Sequence, residues 1–114
     1  MIDSYRFGHM RINGQEYTSD LILFPDGRIR DSWWRTNGHR LAASDLADLI
    51  DSRPEVIVTG TGASGLMRPE PGLAAALTDQ GIELLAHPTA EAMRIYNQLL
   101  QEGKKVGGCF HLTC

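Results

Sequence analysis

The sequence predicts an α/β fold: a mixed, largely parallel sheet covered by helices, with antiparallel hairpin strands added by its N-terminal part. Two observations carry this. Residues 5–34 hold short apolar runs separated by tight-turn residues, and residues 44–113 alternate helical and β-branched segments in the order helix, strand, helix, strand, helix, strand. With 114 residues the chain is the usual size of one domain and buries about two-thirds of the surface its unfolded form exposes. We therefore expect one domain over residues 1–114.

The elements follow in order. Asn13-Gly14 lies between Met10-Arg11-Ile12 and Gln15-Glu16-Tyr17; Asn-Gly tolerates the positive φ angles of a two-residue hairpin turn. Leu21–Phe24 is an apolar run that meets the turn tripeptide Pro25-Asp26-Gly27, and Arg28–Trp34 reads as the returning strand. Ser44 is the expected N-cap of a first helix, with Asp45 and Asp48 near the positive end of its dipole and Leu46, Leu49 and Ile50 as its buried stripe. Arg53-Pro54 stops it. Val56-Ile57-Val58-Thr59 is a strand buried on both faces, followed by the loop Gly60-Thr61-Gly62-Ala63-Ser64-Gly65. Leu73, Ala74, Ala76 and Leu77 mark a second helix that ends at Gly81, and Ile82–Ala86 is the next strand. Thr89 is the expected cap of a third helix, whose apolar stripe is Ala92, Met93, Tyr96, Leu99 and Leu100, with Gly103 as its stop. Lys105–Thr113 closes the sheet, with Val106, Phe110 and Leu112 on one face and Cys109, His111 and Thr113 on the other.

Composition narrows the function classes. A formal net charge of -3 and a pI near 5.7 speak against a nucleic-acid module, which needs a basic face to neutralise phosphates. No apolar run reaches the ~20 residues of a membrane-spanning helix. Met1–Arg6 lacks the basic-then-apolar order of a secretory signal. Two cysteines, Cys109 and Cys114, make no disulfide scaffold, so a reducing, cytoplasmic setting is expected.

Three constellations have chemical content. Gly60-x-Gly62-x-x-Gly65 follows a buried strand, as in a dinucleotide-binding turn, and Glu83 lies near the expected distance downstream. However, Pro69 and Pro71 delay the helix whose N-terminus would meet a pyrophosphate, and Glu83 opens its strand rather than closing it. A small anion or a partner contact is the functional reading of this loop; a simple chain reversal is the bland one. The second cluster is Trp33-Trp34-Arg35-Thr36-Asn37-Gly38-His39-Arg40. Alternation puts one Trp in the core and turns the other outward, where it suits a binding surface. His39 is a candidate acid or base that an acid such as Asp20 would orient; the bland reading leaves Arg35, His39 and Arg40 solvated. The third, Cys109-x-His111-x-x-Cys114, fails as a metal site. Cys109 and His111 share one strand face about 7 Å apart, and no fourth ligand is evident. No Gly-x-Ser-x-Gly elbow, Walker loop, His-Glu-x-x-His pair or Cys-x-x-Cys occurs, so no cofactor and no metal are expected.

Taken together, Phe7-Gly8, Ile12-x-Gly14-x-x-Tyr17, Asp20, Pro25-Asp26-Gly27, Trp34-Arg35 with His39, Gly60-Thr61-Gly62, Thr89-x-x-Ala92, Tyr96-Asn97 and His111-Leu112-Thr113-Cys114 stand in the order and spacing of the Mth-domain family, which the chain resembles over essentially its whole length. The resemblance implies a three-layer α/β fold with an accessory N-terminal β layer, and a member without the import extension of mitochondrial relatives. Eukaryotic relatives include a respiratory complex I assembly factor and an adipogenesis-associated protein. The family has no agreed catalytic residues, so none are carried over. The expectation is a non-catalytic interaction or assembly-type protein with a protein partner. The alternative, from a different class, is a small-molecule or anion-binding protein or enzyme with a site at the Gly60–Gly62 loop. The candidate site in either case is Asp20, Trp34, Arg35, His39, Gly60, Thr61 and Gly62. A ligand site requires these residues to converge in a hollow; an interaction surface requires exposed apolar side chains.

Overall fold

A computed structural model describes residues 1–114. The chain opens with a three-stranded antiparallel sheet, β1 (Ile2–Arg6), β2 (His9–Ile12) and β3 (Gln15–Tyr17). Asn13 and Gly14 form the expected turn between β2 and β3, with φ angles of 50° and 83°. Strands β4 (Leu21–Leu23) and β5 (Ile29–Arg30) then pair across the Pro25-Asp26-Gly27 turn, where the Phe24 N–H donates to the Arg28 carbonyl at 2.9 Å. The returning strand ends at Arg30, four residues earlier than expected. Ser32 takes a φ of 51°, its N–H donates to Ser19 Oγ at 2.8 Å, and the Trp33 N–H donates to the Asp20 carbonyl at 3.0 Å. The chain thus swings across the start of β4 and drops Trp33 into the core, where its indole N–H donates to the Asp45 carbonyl at 3.0 Å.

After β6 (Arg40–Leu41) comes a 3-10 turn (Ala43–Leu46) that runs into α1 (Ala47–Asp51). Ser44 is not the cap. The Asp45 carboxylate does that work by reaching back to accept from the N–H groups of Ala42 (2.9 Å) and Thr36 (3.2 Å). Asp45 stands three residues past the Ala42 cap position, the spacing from which a carboxylate reaches back to the cap residue's own N–H. Strand β7 (Val56–Thr61) follows the Arg53-Pro54 break, and the short β8 (Arg68–Pro69) pairs parallel with β6. Helix α2 (Leu73–Asp79), β9 (Glu83–His87), α3 (Thr89–Gln101) and β10 (Val106–His111) complete the chain.

The central sheet runs β5-β4-β10-β7-β9. Its long pairings, β10 with β7 and β7 with β9, are parallel; β4 is antiparallel to β10 and β5 to β4. Because strand side chains alternate, the sheet feeds two apolar clusters. Leu21, Leu23, Val56, Val58, Val106 and Phe110 pack beneath α3 and the N-terminal sheet, meeting Ala92, Tyr96, Ile2, Met10 and Ile12. Ile22, Ile57 and Cys109 face the other way, against Trp33, Leu46, Leu49, Met67, Leu73 and Leu77. Each fully buried large side chain contributes about 1.5–3 kcal/mol. Asn97 on α3 pins β1 by a reciprocal pair: the Ile2 N–H donates to its Oδ1 (2.9 Å), and its Nδ2 donates to the Ile2 carbonyl (2.8 Å). The N-terminal sheet is thereby held as an outer layer over α3, and the sheet's carboxyl ends stay open to the loops.

Candidate functional site

Strand register builds the site. Cys109 on β10 lies between Ile22 on β4 and Thr59 on β7. Two residues further toward the carboxyl end of β10, on the same face, stands His111, level with Thr61 on β7. The antiparallel β4 brings Asp20 to the same level from the other side. Asp20 is the hub. Its Oδ2 accepts from His111 Nδ1 at 2.8 Å and from Arg35 Nη2 at 2.9 Å, while its Oδ1 accepts from the Leu112 N–H at 2.8 Å. Side-chain exposure is 5% for Arg35, 8% for His111 and 13% for Asp20. Burial pushes the Asp20 carboxyl up, but the bonds from His111, the Leu112 N–H and Arg35 outweigh it and hold it below its ordinary value. Asp20 is therefore an anion, and the proton between it and His111 sits on Nδ1. Nε2 is the ring nitrogen left over for another partner. The 3.2 Å approach of Arg35 Nη2 to His111 Nδ1 is two donors meeting at one acceptor.

The rest of Arg35 is mostly spent. Its Nε and Nη2 donate to the Gly38 carbonyl at 3.2 and 3.0 Å, closing the Trp34–Gly38 loop on itself, and the guanidinium lies 4.8 Å from the Trp33 ring. Arg35 Nη1 and His111 Nε2 are both buried and have no hydrogen-bond partner. Tyr5 reaches over from β1, its hydroxyl donating to the Leu112 carbonyl at 2.9 Å; burial and the Asp20 charge both raise its pKa.

The glycine loop is tied to the same place. Gly60 and Thr61 belong to β7 rather than to the loop, and a Cβ on Gly60 would strike the Phe110 ring and Thr89. Gly62 has a φ of 104°, and a Cβ there would lie 2.5 Å from the Cys114 carbonyl and 2.8 Å from the His111 ring. Thr89 does not cap α3. Its buried hydroxyl accepts from the Gly62 N–H at 2.9 Å and donates to the His111 carbonyl at 2.6 Å, which locks β7, α3 and β10 together. The loop's own donors are turned inward: Ala63 to Thr113, Gly65 to Gly62, Leu66 to Cys114 and Met67 to Thr61. A phosphate cradle requires such N–H groups to face outward.

Of the residues singled out in the sequence, Asp20, Arg35, Thr61 and Gly62 meet around His111. His39 approaches it edge-on, with ring centroids 6.1 Å apart, but Asp20 orients His111 and not His39. Gly60 supports the site from beneath. Trp34 points out and is 79% exposed. Sequence reasoning missed His111 and Thr89 as site residues. The available signal was a polar side chain in phase with Cys109 on a buried strand face, and a threonine directly after the strand-ending proline. Cys109 itself is a core thiol: burial pushes its pKa up to about 12, and its Sγ lies 3.1 Å from Thr59 Oγ1. No three His, Cys, Asp or Glu side chains are grouped to hold a metal. No helix is long and apolar enough to cross a membrane. The main surface hollows are lined by other residues. One of 430 Å³ lies alongside the Trp34–Arg40 loop, between Thr36, Asn37, Arg40, Asp45 and Glu70.

Part of the Mth-type pattern, Asp20, Arg35, His39, Gly60-Thr61-Gly62, Thr89 and His111, meets at the carboxyl ends of the parallel strands, whereas Pro25-Asp26-Gly27 lies at the opposite end, beside Ser52 and Lys105. A model of the family described as protein of unknown function (DUF498/DUF598) matches residues 2–111. The chain belongs to the DUF498/DUF598 family. Solved structures agree. A conserved hypothetical protein from Pyrococcus horikoshii OT3 is 27% identical, with a TM-score of 0.86 over 100% of this chain and 99% of that one. The protein MT938 is 28% identical, with a TM-score of 0.85 over 100% and 98%. A Bordetella pertussis protein described as a Mth938-like domain is 19% identical and shares the fold, with a TM-score of 0.65 over 98% and 85%. The DUF498/DUF598 fold is therefore the mixed α/β sheet with its separate N-terminal antiparallel layer.

Proposed function

We propose that the chain is a non-catalytic interaction module of the assembly-factor type, working in the cytoplasm and docking a protein partner at the carboxyl ends of the central strands. One observation carries this reading. Three large apolar side chains stand exposed around the C-terminal segment: Trp34 at 79%, Phe7 at 60% and Leu66 at 47%. Each is tethered to that segment. Gly8, next to Phe7, donates its N–H to the Leu112 carbonyl at 2.8 Å; the Leu66 N–H donates to the Cys114 carbonyl at 3.1 Å; Arg35, next to Trp34, joins the His111 cluster. Exposed aromatic side chains on a rigid base are the usual anchors of an interface. The family resemblance makes respiratory-complex subunits the first partners to look for.

The test compares wild type with a Phe7→Ser, Trp34→Ser, Leu66→Ser triple variant in affinity capture from the native cells. Partners are quantified by mass spectrometry, with thermal unfolding of both proteins as a control. The expected result is at least about a tenfold loss of specific partners at unchanged thermal stability. An identical set of captured proteins would refute the docking surface. A second reading, ligand binding, has one observation in its favour: the unpartnered nitrogens of Arg35 and His111. The inward-turned donors of the Gly60–Gly65 loop lend it no support.

A further inference from the structure

We propose that Arg35 and His111 form a recognition site for a single carboxyl group, whether or not the surrounding surface docks a protein. The argument begins with hydrogen-bond accounting. Buried nitrogen groups are nearly always paired, and leaving one unpaired costs about 1–3 kcal/mol, more when the group is charged. Here two stand unpaired in one cluster, Arg35 Nη1 and His111 Nε2, on side chains more than nine-tenths buried. They hang from groups that share Asp20 Oδ2 and approach each other to 3.2 Å. They also sit at the carboxyl ends of parallel strands, beside the point where the chain leaves β7 for α2 on one face and β9 for α3 on the other. Open α/β sheets place their ligands at such points.

The chemistry of the occupant follows from what remains free. Arg35 has spent Nε and Nη2, so it cannot offer the two-pronged fork that phosphate takes. The Asp20 carboxylate already sits against the guanidinium and would repel a dianion. One negative charge with two oxygens fits: one oxygen accepts from Nη1–H, and the other accepts from Nε2–H, a proton that the imidazole takes up from solvent as the anion binds. Asp20 holds the imidazole so that Nε2 is the nitrogen presented, as a carboxylate does for other functional histidines. Gly62 packs its bare backbone against the ring and fixes it from that side, since a Cβ there would come within 2.8 Å of His111 Cδ2. We take His39, exposed and edge-on to His111 at 6.1 Å, as the side chain that swings away to admit a ligand.

The experiment titrates the ¹⁵N-labelled protein with 3-phenylpropionate, 3-phenylpropionamide and inorganic phosphate. The nitrogen resonances of the Arg35 guanidinium and the His111 imidazole are followed. The acid is expected to produce saturable shifts at both side chains, with affinity at least about tenfold above the amide and phosphate. Arg35→Lys and His111→Gln should each weaken it about tenfold or more. His39→Ala, which removes the cover and leaves the cluster intact, should strengthen it. Equal binding of the amide, tighter binding of phosphate, or shifts confined to other residues would overturn the proposal; these arms use wild type, so they do not depend on any variant folding. A final arm adds saturating acid to the captured complexes described above. Release of the partner assigns the carboxyl to an acidic side chain of that partner. Retention, with the shifts still present, assigns it to a free organic acid. Both results support the site, and both can be read even if the docking surface fails its own test.

Discussion

At the amino ends of the parallel strands, the chain is held by Glu55. Its N–H donates to the Lys105 carbonyl (2.7 Å), its carbonyl accepts from the Glu83 N–H (3.0 Å), and its side chain accepts from the Lys105 N–H (2.7 Å), all at the solvent edge. At the carboxyl ends the equivalent work is done by buried charge: Asp20, Arg35 and His111, with Thr89 beneath them. Water can replace the contacts of the first end when one is lost. It cannot reach the second, so that end depends on every partner being present. This contrast is the reason the candidate site is sought at the carboxyl end.

The contrast can be broken most sharply at the hub. Asp20→Ala leaves a buried guanidinium and imidazole without their shared acceptor and should destabilise the fold by about 3–5 kcal/mol, read by urea unfolding. The same group predicts an acid limb. Its pKa is depressed in the folded state, so its stabilisation is complete above the unfolded value of about 3.9 and is lost as pH falls through the folded value. Wild type should therefore lose stability steeply below about pH 4, and Asp20→Asn should show a shallower slope over the same range.

Thr89→Val keeps the shape beside Gly62 but removes the hydroxyl that bonds the Gly62 N–H and the His111 carbonyl. The expected cost is about 1–3 kcal/mol, with hydrogen exchange at the Gly62 amide accelerated ahead of global unfolding. At the opposite end, Glu55→Gln retains an acceptor for the Lys105 N–H in open solvent and should change stability by no more than about 0.5 kcal/mol. A cost equal to that of Thr89→Val would erase the distinction between the two ends. The smallest effect is expected in the native thiols. At pH 8, iodoacetamide should modify the exposed Cys114 and leave Cys109 untouched until the protein unfolds, because Cys109 is buried with a pKa pushed up to about 12. Mass spectrometry should find one adduct in the native state and two in urea.

Much of this fold is legible residue by residue. The Asn13-Gly14 hairpin, the Pro25-Asp26-Gly27 turn, the Arg53-Pro54 break, the stripe of α3 and the double-sided burial of β7 all rest on forces acting within a few residues, and all stand as read. Apart from the helix cap, where Asp45 does the work expected of its neighbour Ser44, the readings that changed are those in which a distant partner outbid a local one. Thr89 has the composition of a cap but bonds to Gly62 and His111 instead. Arg28–Trp34 alternates like a strand, yet Trp33 gains more by filling the core between α1 and the sheet than by extending β5. Arg35 could be read either as a site residue or as a solvated cation, because no local pattern announces that Asp20, fifteen residues away in sequence, meets it.

Alternation and turn chemistry alone determined the α/β class, the order of its main elements and the face of β10 that carries Cys109 and His111, since each depends on spacings of two to four residues; the short β6–β8 pair was not among them. Only the tertiary structure decided which of the four histidines meets Asp20. That choice is set by the register of β4 against β10, a pairing across 91 residues of chain. Sequence separation hides such a contact, while burial makes it decisive: in an apolar interior an ionised carboxylate must find its donors wherever the packed strands bring them.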